Sequence, residues 1–476
     1  MKNFIKYLIL ICIYNSILFY GYSYGLNVIL FMIPLSIYLI CVLNKTNKVI
    51  NKKAFILLIP IMLLSISYLI YDNAFFKHTN MFVITLLLTF LYIYSINPTF
   101  NIVNLIKEVL SVISEPLGVI EKFYKEVGNT ITNTFKITEK TKQRTKSYLI
   151  IIPVVALVLI LLSSADEIFG NIFNKIFKIF ENINIYNLGF RIIYIIALFT
   201  YLGVVTYFIL NKYEKHEYKK DDFKVDNYTI KTLLTILNAI YIVFDIIQIK
   251  SLMLHQVSSN INYAEYARSG FFQLLFISIL NLAIVLISKR SVEDTKYNKI
   301  SGLVMVFLTL IIIISSFLRM NMYESVYGYT LLRLLVYISL ITETILLVPT
   351  IIYIIKPETK ILRYYMIIII SIYTITSLLP INYVIAKRNI NKYYKDGKID
   401  IKYLENYSSD NIGLLVNLKD NTKDEKIKNS LTNYFTRYSS RLRIKGFQDY
   451  NLSKNKAIKL ISKYKNNSID IKWVDL

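Results

Sequence analysis

Carboxylates, arginines, tyrosines and glycines gather at a few points of this chain, each beside a long apolar stretch. Asp166-Glu167 follows Ser163-Ser164-Ala165, and Glu265-Tyr266-Ala267-Arg268-Ser269-Gly270 runs into Phe271-Phe272. A third group reads Arg319-Met320-Asn321-Met322-Tyr323-Glu324-Ser325-Val326-Tyr327-Gly328, with Arg333 further on. Asp245 and Gln248 stand near the end of another apolar block, and Glu343 lies inside one. Such carboxylates could serve as general bases. Together with the arginines, tyrosines and glycines they could line one shared outward-facing pocket for a ligand or substrate. The same residues also have a structural reading. Arg268 and Arg333 could pair with Glu265, Asp245 or Glu324 to hold helices in register, or reach out to headgroups. Gly270 and Gly328 would then be turns at which helices begin. Glu343 needs a partner or a proton, which tyrosine or threonine contacts could supply.

The elements that carry these residues follow from composition. Of 476 residues, 55% are hydrophobic and only 18% charged, with mean hydropathy +0.47. Soluble chains carry about 25% charged residues. The apolar residues collect into blocks long enough for a bilayer, which needs about 20 per helix. A soluble enzyme, a disordered chain and a disulfide scaffold are thereby excluded. Eleven blocks are read, at approximately 3–20, 26–43, 54–71, 80–96, 148–164, 188–210, 228–249, 271–288, 300–318, 329–355 and 364–381. The first resembles an uncleaved signal anchor. The fold class expected is all-α, a polytopic transmembrane bundle with a small, mainly helical C-terminal domain.

Basic residues orient the bundle. With the N-terminus cytoplasmic, inner segments carry about 26 Lys and Arg and outer loops about six. Asp166, Glu265, Arg319 and Gly328 then share the outer side. An odd span count places the last ~95 residues outside as well, although Lys387 and Arg388, just past the final block, run against that direction. A bacterial cytoplasmic membrane is expected, since the abundance of Ile, Lys, Asn and Tyr suits an AT-rich bacterial genome.

Four regions result. Residues 1–96 form a four-helix transmembrane region, and 97–147 a cytoplasmic amphipathic segment. Residues 148–381 form a seven-helix core, and 382–476 a basic domain. In 97–147, Val103, Ile106, Leu110, Ile113, Leu117, Ile120, Tyr124, Val127 and Ile131 keep a 3-4 spacing, the mark of an amphipathic helix. Pro116 divides it in two, with Ser114 the expected N-cap of the second helix. Val109, Val112, Val119 and Phe123 widen the stripe, favouring packing on the leaflet or the bundle over a coiled-coil seam. Beyond 382, Asp400 and Asp410 stand where N-caps are expected, and Ile469–Val474 alternates like a strand.

No catalytic, cofactor or metal set is assigned. Cys12 and Cys41 lie inside apolar blocks and predict no disulfide. His78, His216 and His255 match no metal motif. No GxxxxGK loop predicts an ATPase. The formal charge of +24 follows from orientation, so no nucleic acid partner is expected. The first outer loop, Gly21–Gly25, lacks the carboxylate typical of polytopic glycosyltransferases that use lipid-phosphate donors.

The same motifs resemble a bacterial family of unknown function, the DUF4173 (DUF4153-like) membrane proteins. The resemblance is carried by Leu161–Asp166 with Phe169, by Tyr266–Leu275, and by Arg319-Met320 with Tyr323. Tyr327–Thr330 and Leu332–Leu335 continue it, then Ile385–Ile390, Gly397–Asp400 and Tyr403-Leu404. It covers roughly residues 95–420. Gln273 stands where that pattern often has Glu. The resemblance implies a multi-pass bacterial membrane protein and supplies no reaction, substrate or cofactor. Three readings stay open. One is a non-enzymatic scaffold, sensor or regulatory partner whose outer rim meets lipid headgroups, wall polymer or an envelope protein. Another is a permease with Arg268, Arg333, Asp245 and Glu343 on its path. The last is an outward-facing transferase or hydrolase on lipid-linked substrates, with Asp166, Glu167 or Glu265 as base.

Overall fold

The computed structural model describes residues 2–46, 50–96, 109, 114–135, 185–211, 226–250, 270–291, 295–406 and 408–464. Among them no strand occurs. The reason is physical: a backbone crossing lipid must satisfy its own amides, and an apolar helix does so within one segment. Ten of the eleven apolar blocks coincide with helices, and the fifth, 148–164, lies outside the described residues. Among the described residues, eight helices are long and apolar enough to cross a bilayer, or nine if one pair bent by 63° counts as a single span; the helix Phe4–Phe19 is shorter. A count of eleven is therefore not established. The protein is an integral, multi-pass membrane protein.

Two compact units share the chain. The first comprises Met1–Leu58, Thr85–His216 and Lys445–Asp449; the second comprises Ile59–Ile84, Glu217–Ile444 and Tyr450–Leu476.

In the first unit, α1 (Lys2–Phe19), α2 (Leu26–Asn44) and α6 (Ile185–Asn211) pack together. Polar side chains tie them: Arg191 Nε donates to Ser16 Oγ at 2.7 Å, and Tyr38 OH lies 2.9 Å from Thr206 Oγ1. A 3-10 turn at Glu115–Val119 leads into α5 (Ile120–Phe135). Pro116 opens this turn, as its ring requires, but the Ser114 side chain makes no capping bond and its backbone is already helical. Ser114 thus holds the expected N-cap position without the capping bond. The amphipathic helix docks on α6: the Phe123 ring is fully buried, and a Cβ on Gly203 would lie 2.2 Å from its Cζ. The missing side chain of Gly203 is the seat of Phe123. The first amphipathic helix expected in 97–113 falls outside the described residues. Residues 445–449 fold against the α1–α2 turn, where Asn27 N donates to Gln448 O at 2.8 Å.

The second unit holds α3 (Leu58–Ile70) except its first residue, and the first half of α4 (Ala74–Ile96). It then contains α7 (Asn227–Gln248), α8 (Phe271–Ser291), α9 (Lys296–Tyr327), α10 (Leu331–Ile355) and α11 (Ile361–Ser377). Packing of α9 against α7, α8 and α10 forms the apolar core around Met305, Ile312, Met320 and Leu340. After α11 the chain bends by 63° into α12 (Ile381–Asp396). Pro380 makes the break, because it cannot continue the preceding helix. Then follow α13 (Ile401–Glu405), a 3-10 turn at Ser409–Asn411, α14 (Ile412–Asn421), α15 (Glu425–Arg441) and α16 (Leu452–Ile461). These close a second apolar core on Ile390, Leu404, Ile412, Leu415, Leu431, Phe435 and Ile461. This is the small helical domain expected from the sequence. Asp400 caps α13, accepting from Tyr403 N at 3.0 Å. The alternating segment at 469–474 lies outside the described residues.

Candidate functional site

The turn between α9 and α10 has a fixed shape for local reasons. Gly328 ends α9 at φ +78°, a conformation that side chains other than glycine's resist. Thr330 then caps α10, its side chain accepting from Arg333 N at 3.4 Å. Arg333 curls back over the turn, donating to Tyr327 O at 3.1 Å and also to Gly328 O. Its guanidinium sits 4.3 Å from the Tyr323 ring centre, and Tyr323 packs on Tyr327 with centroids 4.9 Å apart. Arg333 thus serves the last carbonyls of α9, where a cation is favoured. The expected pairing with Glu324 is not made. Glu324 is buried and accepts from Tyr337 OH at 2.9 Å.

Helix α12 grips this turn. Asn389 Oδ1 accepts from Tyr329 N at 2.9 Å, and its Nδ2 donates to Tyr329 O at 2.8 Å and to Ile385 O at 3.0 Å. A Cβ on Gly328 would come within 2.5 Å of Asn389 Oδ1, so the glycine also makes room for the grip. Arg388 Nη1 donates to Tyr329 OH at 3.0 Å, with its guanidinium 5.0 Å above that ring. Lys392 Nζ donates to Val326 O at 2.7 Å, and Tyr403 OH accepts from Leu331 N at 3.0 Å. Ile381 and Ile385 pack beneath, against Leu331, Leu334 and Leu335.

A second grip joins the α3–α4 turn to the helical domain. Asp410 Oδ1 accepts from Asp72 N at 2.8 Å, while Oδ2 accepts from Asn382 Nδ2 at 3.1 Å and Ser408 Oγ at 3.0 Å. The Asp72 carboxylate accepts from Ser409 Oγ at 2.6 Å and pairs with Lys77. Asn451 Nδ2 donates to Tyr68 O at 2.8 Å and Tyr71 O at 2.9 Å. Asp410 is therefore no helix cap: Asn411 holds that position, without a side-chain bond. Tertiary contacts with Asp72 and Asn382 draw the carboxylate away. Burial, the largest influence, pushes the Asp410 carboxyl above its usual range. Burial also pushes the neighbouring Tyr438 phenol up to about 12. A cleft of about 10 Å³ lies here among Tyr71, Asn73, Lys77, Ser377 and Asp410, room for about one water.

The remaining expected residues are dispersed. Arg319 is buried in α9, its Nη2 donating to Gln248 Oε1 at 3.0 Å. Gly270 has φ +104°, and a Cβ there would lie 3.3 Å from Arg319 Nη1. Asp245 is 2% exposed, with neither carboxylate oxygen hydrogen bonded. Glu343 is 4% exposed and contacts Ser278 of α8, rather than a tyrosine or threonine. Asp166, Glu167, Glu265, Tyr266 and Arg268 lie outside the described residues. Among the described residues, both cysteines are free and no group of three or more His, Cys, Asp or Glu could hold a metal.

Sequence reasoning named Gly328, Tyr323, Tyr327 and Arg333, touched Asn389 only within the Ile385–Ile390 pattern, and missed Asn382, Asp72 and Asn451. The available signal was a pair of asparagines on one amphipathic helix, an aspartate in the α3–α4 turn and an asparagine just before α16. The Ile385–Ile390 and Tyr403-Leu404 patterns coincide with the side chains that grip the α9–α10 turn.

No curated protein matches this chain, and no solved structure matches it. A family described as a domain of unknown function (DUF4153) matches residues 58–418, which include the first grip and all of the second except Asn451. That label differs slightly from the resemblance drawn on the motifs, and its match begins earlier, at α3. With most of its length matched, the chain belongs to the DUF4153 family.

Proposed function

We propose that this protein is a non-enzymatic platform of the bacterial cell envelope, a scaffold, sensor or regulatory partner that holds its basic helical domain against one end of the membrane bundle. One observation supports the reading most: Asn389 binds both backbone groups of Tyr329, while Arg333, Arg388 and Lys392 turn their donors onto the same α9–α10 turn. Polar groups used in this way fix a surface in place. On this reading the platform lies in the cytoplasmic membrane, with the N-terminus inside and the domain outside, facing headgroups, wall polymer or an envelope protein. The transferase alternative draws on Asp166, Glu167 and Glu265 and gains no support from the grips.

The test is photo-crosslinking from exposed positions of the domain, such as Tyr394 and Leu452, in the living host. A discrete partner whose yield falls severalfold in Asn389→Ala supports the platform. The permease reading draws support from the buried carboxylates Asp245 and Glu343. Solute counterflow in liposomes that is abolished by Arg333→Ala favours it and overturns the platform.

A further inference from the structure

A row of buried polar side chains follows the faces on which α7, α8, α9 and α10 meet. Asn238 of α7 donates to Ser301 Oγ at 3.0 Å. Tyr241 OH donates to Asn281 Oδ1 at 2.8 Å, and Asn281 Nδ2 donates to Thr309 Oγ1 at 3.1 Å. One turn from Asn281, Ser278 touches Glu343 of α10. One turn from Tyr241 stands Asp245. Interhelical hydrogen bonds of this kind hold membrane helices together, and each neutral member of the row makes at least one, although Asn238 Oδ1 is left without a donor. The two carboxylates are less well matched.

Proton counting decides their state. Ser278 has one hydroxyl hydrogen but two oxygen neighbours, Leu275 O at 2.8 Å and Glu343 Oε2. Thr309 shows the local habit: its hydroxyl donates to Met305 O at 2.7 Å and accepts from Asn281. If Ser278 likewise donates to Leu275 O, the hydrogen between Ser278 and Glu343 must sit on Glu343. Among the described residues, Glu343 Oε1 and both oxygens of Asp245 are buried with no donor. An ionised carboxylate so placed forfeits its solvation with nothing in return.

Among the described residues, charges around them give no relief. The stretches of α8 (271–288), α9 (300–318) and α11 (364–377) contain no charged side chain. Lys231 of α7 lies fourteen residues from Asp245, about 21 Å along the helix. The guanidinium of Arg319, beyond the charge-free stretch of α9, donates to Gln248 rather than to Asp245. Glu324 and Arg333, toward the same end, are engaged with Tyr337 and the α9–α10 turn.

We propose that Asp245 and Glu343 are proton-binding sites, each held as a neutral carboxylic acid within the bilayer-spanning bundle, so that the ligand of this polar row is H⁺. A metal cation fits less well, since it needs several oxygens converging on one point. The inference stands apart from the platform reading and is tested on purified full-length protein in lipid.

Infrared spectra at neutral pH are expected to show carboxylic-acid carbonyl bands that shift in D₂O. Glu343→Gln removes one and Asp245→Asn another, and sodium leaves both in place. Spectra of wild type and variants that coincide in this region, or bands erased by sodium, overturn the proposal. Should a variant not fold, site-resolved labelling of the wild type decides. A membrane-soluble carbodiimide, which attacks only protonated carboxyls, is expected to label peptides containing Glu343 and Asp245. Adducts confined to exposed carboxylates refute it.

Discussion

Asn389 binds Tyr329 as a neighbouring strand would: it takes the backbone amide at 2.9 Å and returns a donor to the carbonyl at 2.8 Å. Both partners belong to one residue of a tight turn, so the pair fixes position and orientation together. A third bond, to Ile385 O at 3.0 Å, anchors the amide to its own helix. The bundle end and the helical domain are joined through this one side chain more completely than through any ion pair at the turn. Surface ion pairs contribute only about 0–1 kcal/mol.

Asn389→Ala is expected to destabilise the protein by about 2 kcal/mol, because it leaves the backbone groups of Tyr329 without their side-chain partner. Asn389→Asp does not rescue it. The carboxylate keeps the acceptor for Tyr329 N but sets oxygen against the Tyr329 and Ile385 carbonyls. Thermal unfolding of the purified variants checks both; an aspartate variant as stable as wild type defeats the assignment.

Gly328→Ala combines a left-handed backbone, φ +78°, with a methyl 2.5 Å from Asn389 Oδ1. A loss of about 2–3 kcal/mol follows from strain and overlap together. Gly397 offers the control. Its φ is +69°, yet a Cβ there meets nothing within 4 Å, so Gly397→Ala carries the backbone penalty alone, about 1 kcal/mol. Equal losses at the two positions exclude steric contact with Asn389.

Much of this architecture was legible in the sequence. The apolar blocks reported the helices because the bilayer demands long apolar segments, and Gly328 reported a turn at which a helix begins. Asn389 and Asp410 were not legible. A short polar side chain in an amphipathic helix looks like part of its solvent face. The partners lie 60 residues away for Asn389 and 338 for Asp410, so no local spacing marks them. Asp410 was misassigned as a cap because its local pattern is that of a cap and tertiary bonding displaces it. Arg333 was named from its place just after Gly328, but its carbonyl partners were not, since carbonyl groups at a helix end leave no trace in residue type.

Asp410 gives the helical domain a pH dependence of definite sign. Burial raises its folded pKa above the ordinary 3.8, so the folded form holds its proton more tightly than the unfolded form. Its contribution is complete below about 3.8 and is lost as pH rises through the raised value. The stability difference between wild type and Asp410→Asn should therefore shift against wild type between acidic and neutral pH. Unfolding temperatures of both proteins across that range provide the measurement, and parallel curves contradict the sign.

Gly203 and Phe123 test whether α5 is a docked element or a free amphipathic helix. With the Phe123 ring fully buried and 2.2 Å from any Cβ at position 203, Gly203→Ala forces the rigid aromatic ring to move. The expected result is undocking of α5, seen as trypsin cleavage at Lys122 and Lys125 faster by roughly tenfold, since local opening governs such proteolysis. Phe123→Ala loses the packing of the ring on Phe199, whose centroid lies 5.6 Å away, and also speeds cleavage. The double variant decides the matter. A small side chain at 123 leaves room for the methyl at 203, so the two penalties should not add. Additive effects would mean that the two residues never meet, and that α5 reaches α6 only through contacts such as Tyr124 OH to Thr200 Oγ1 at 2.5 Å.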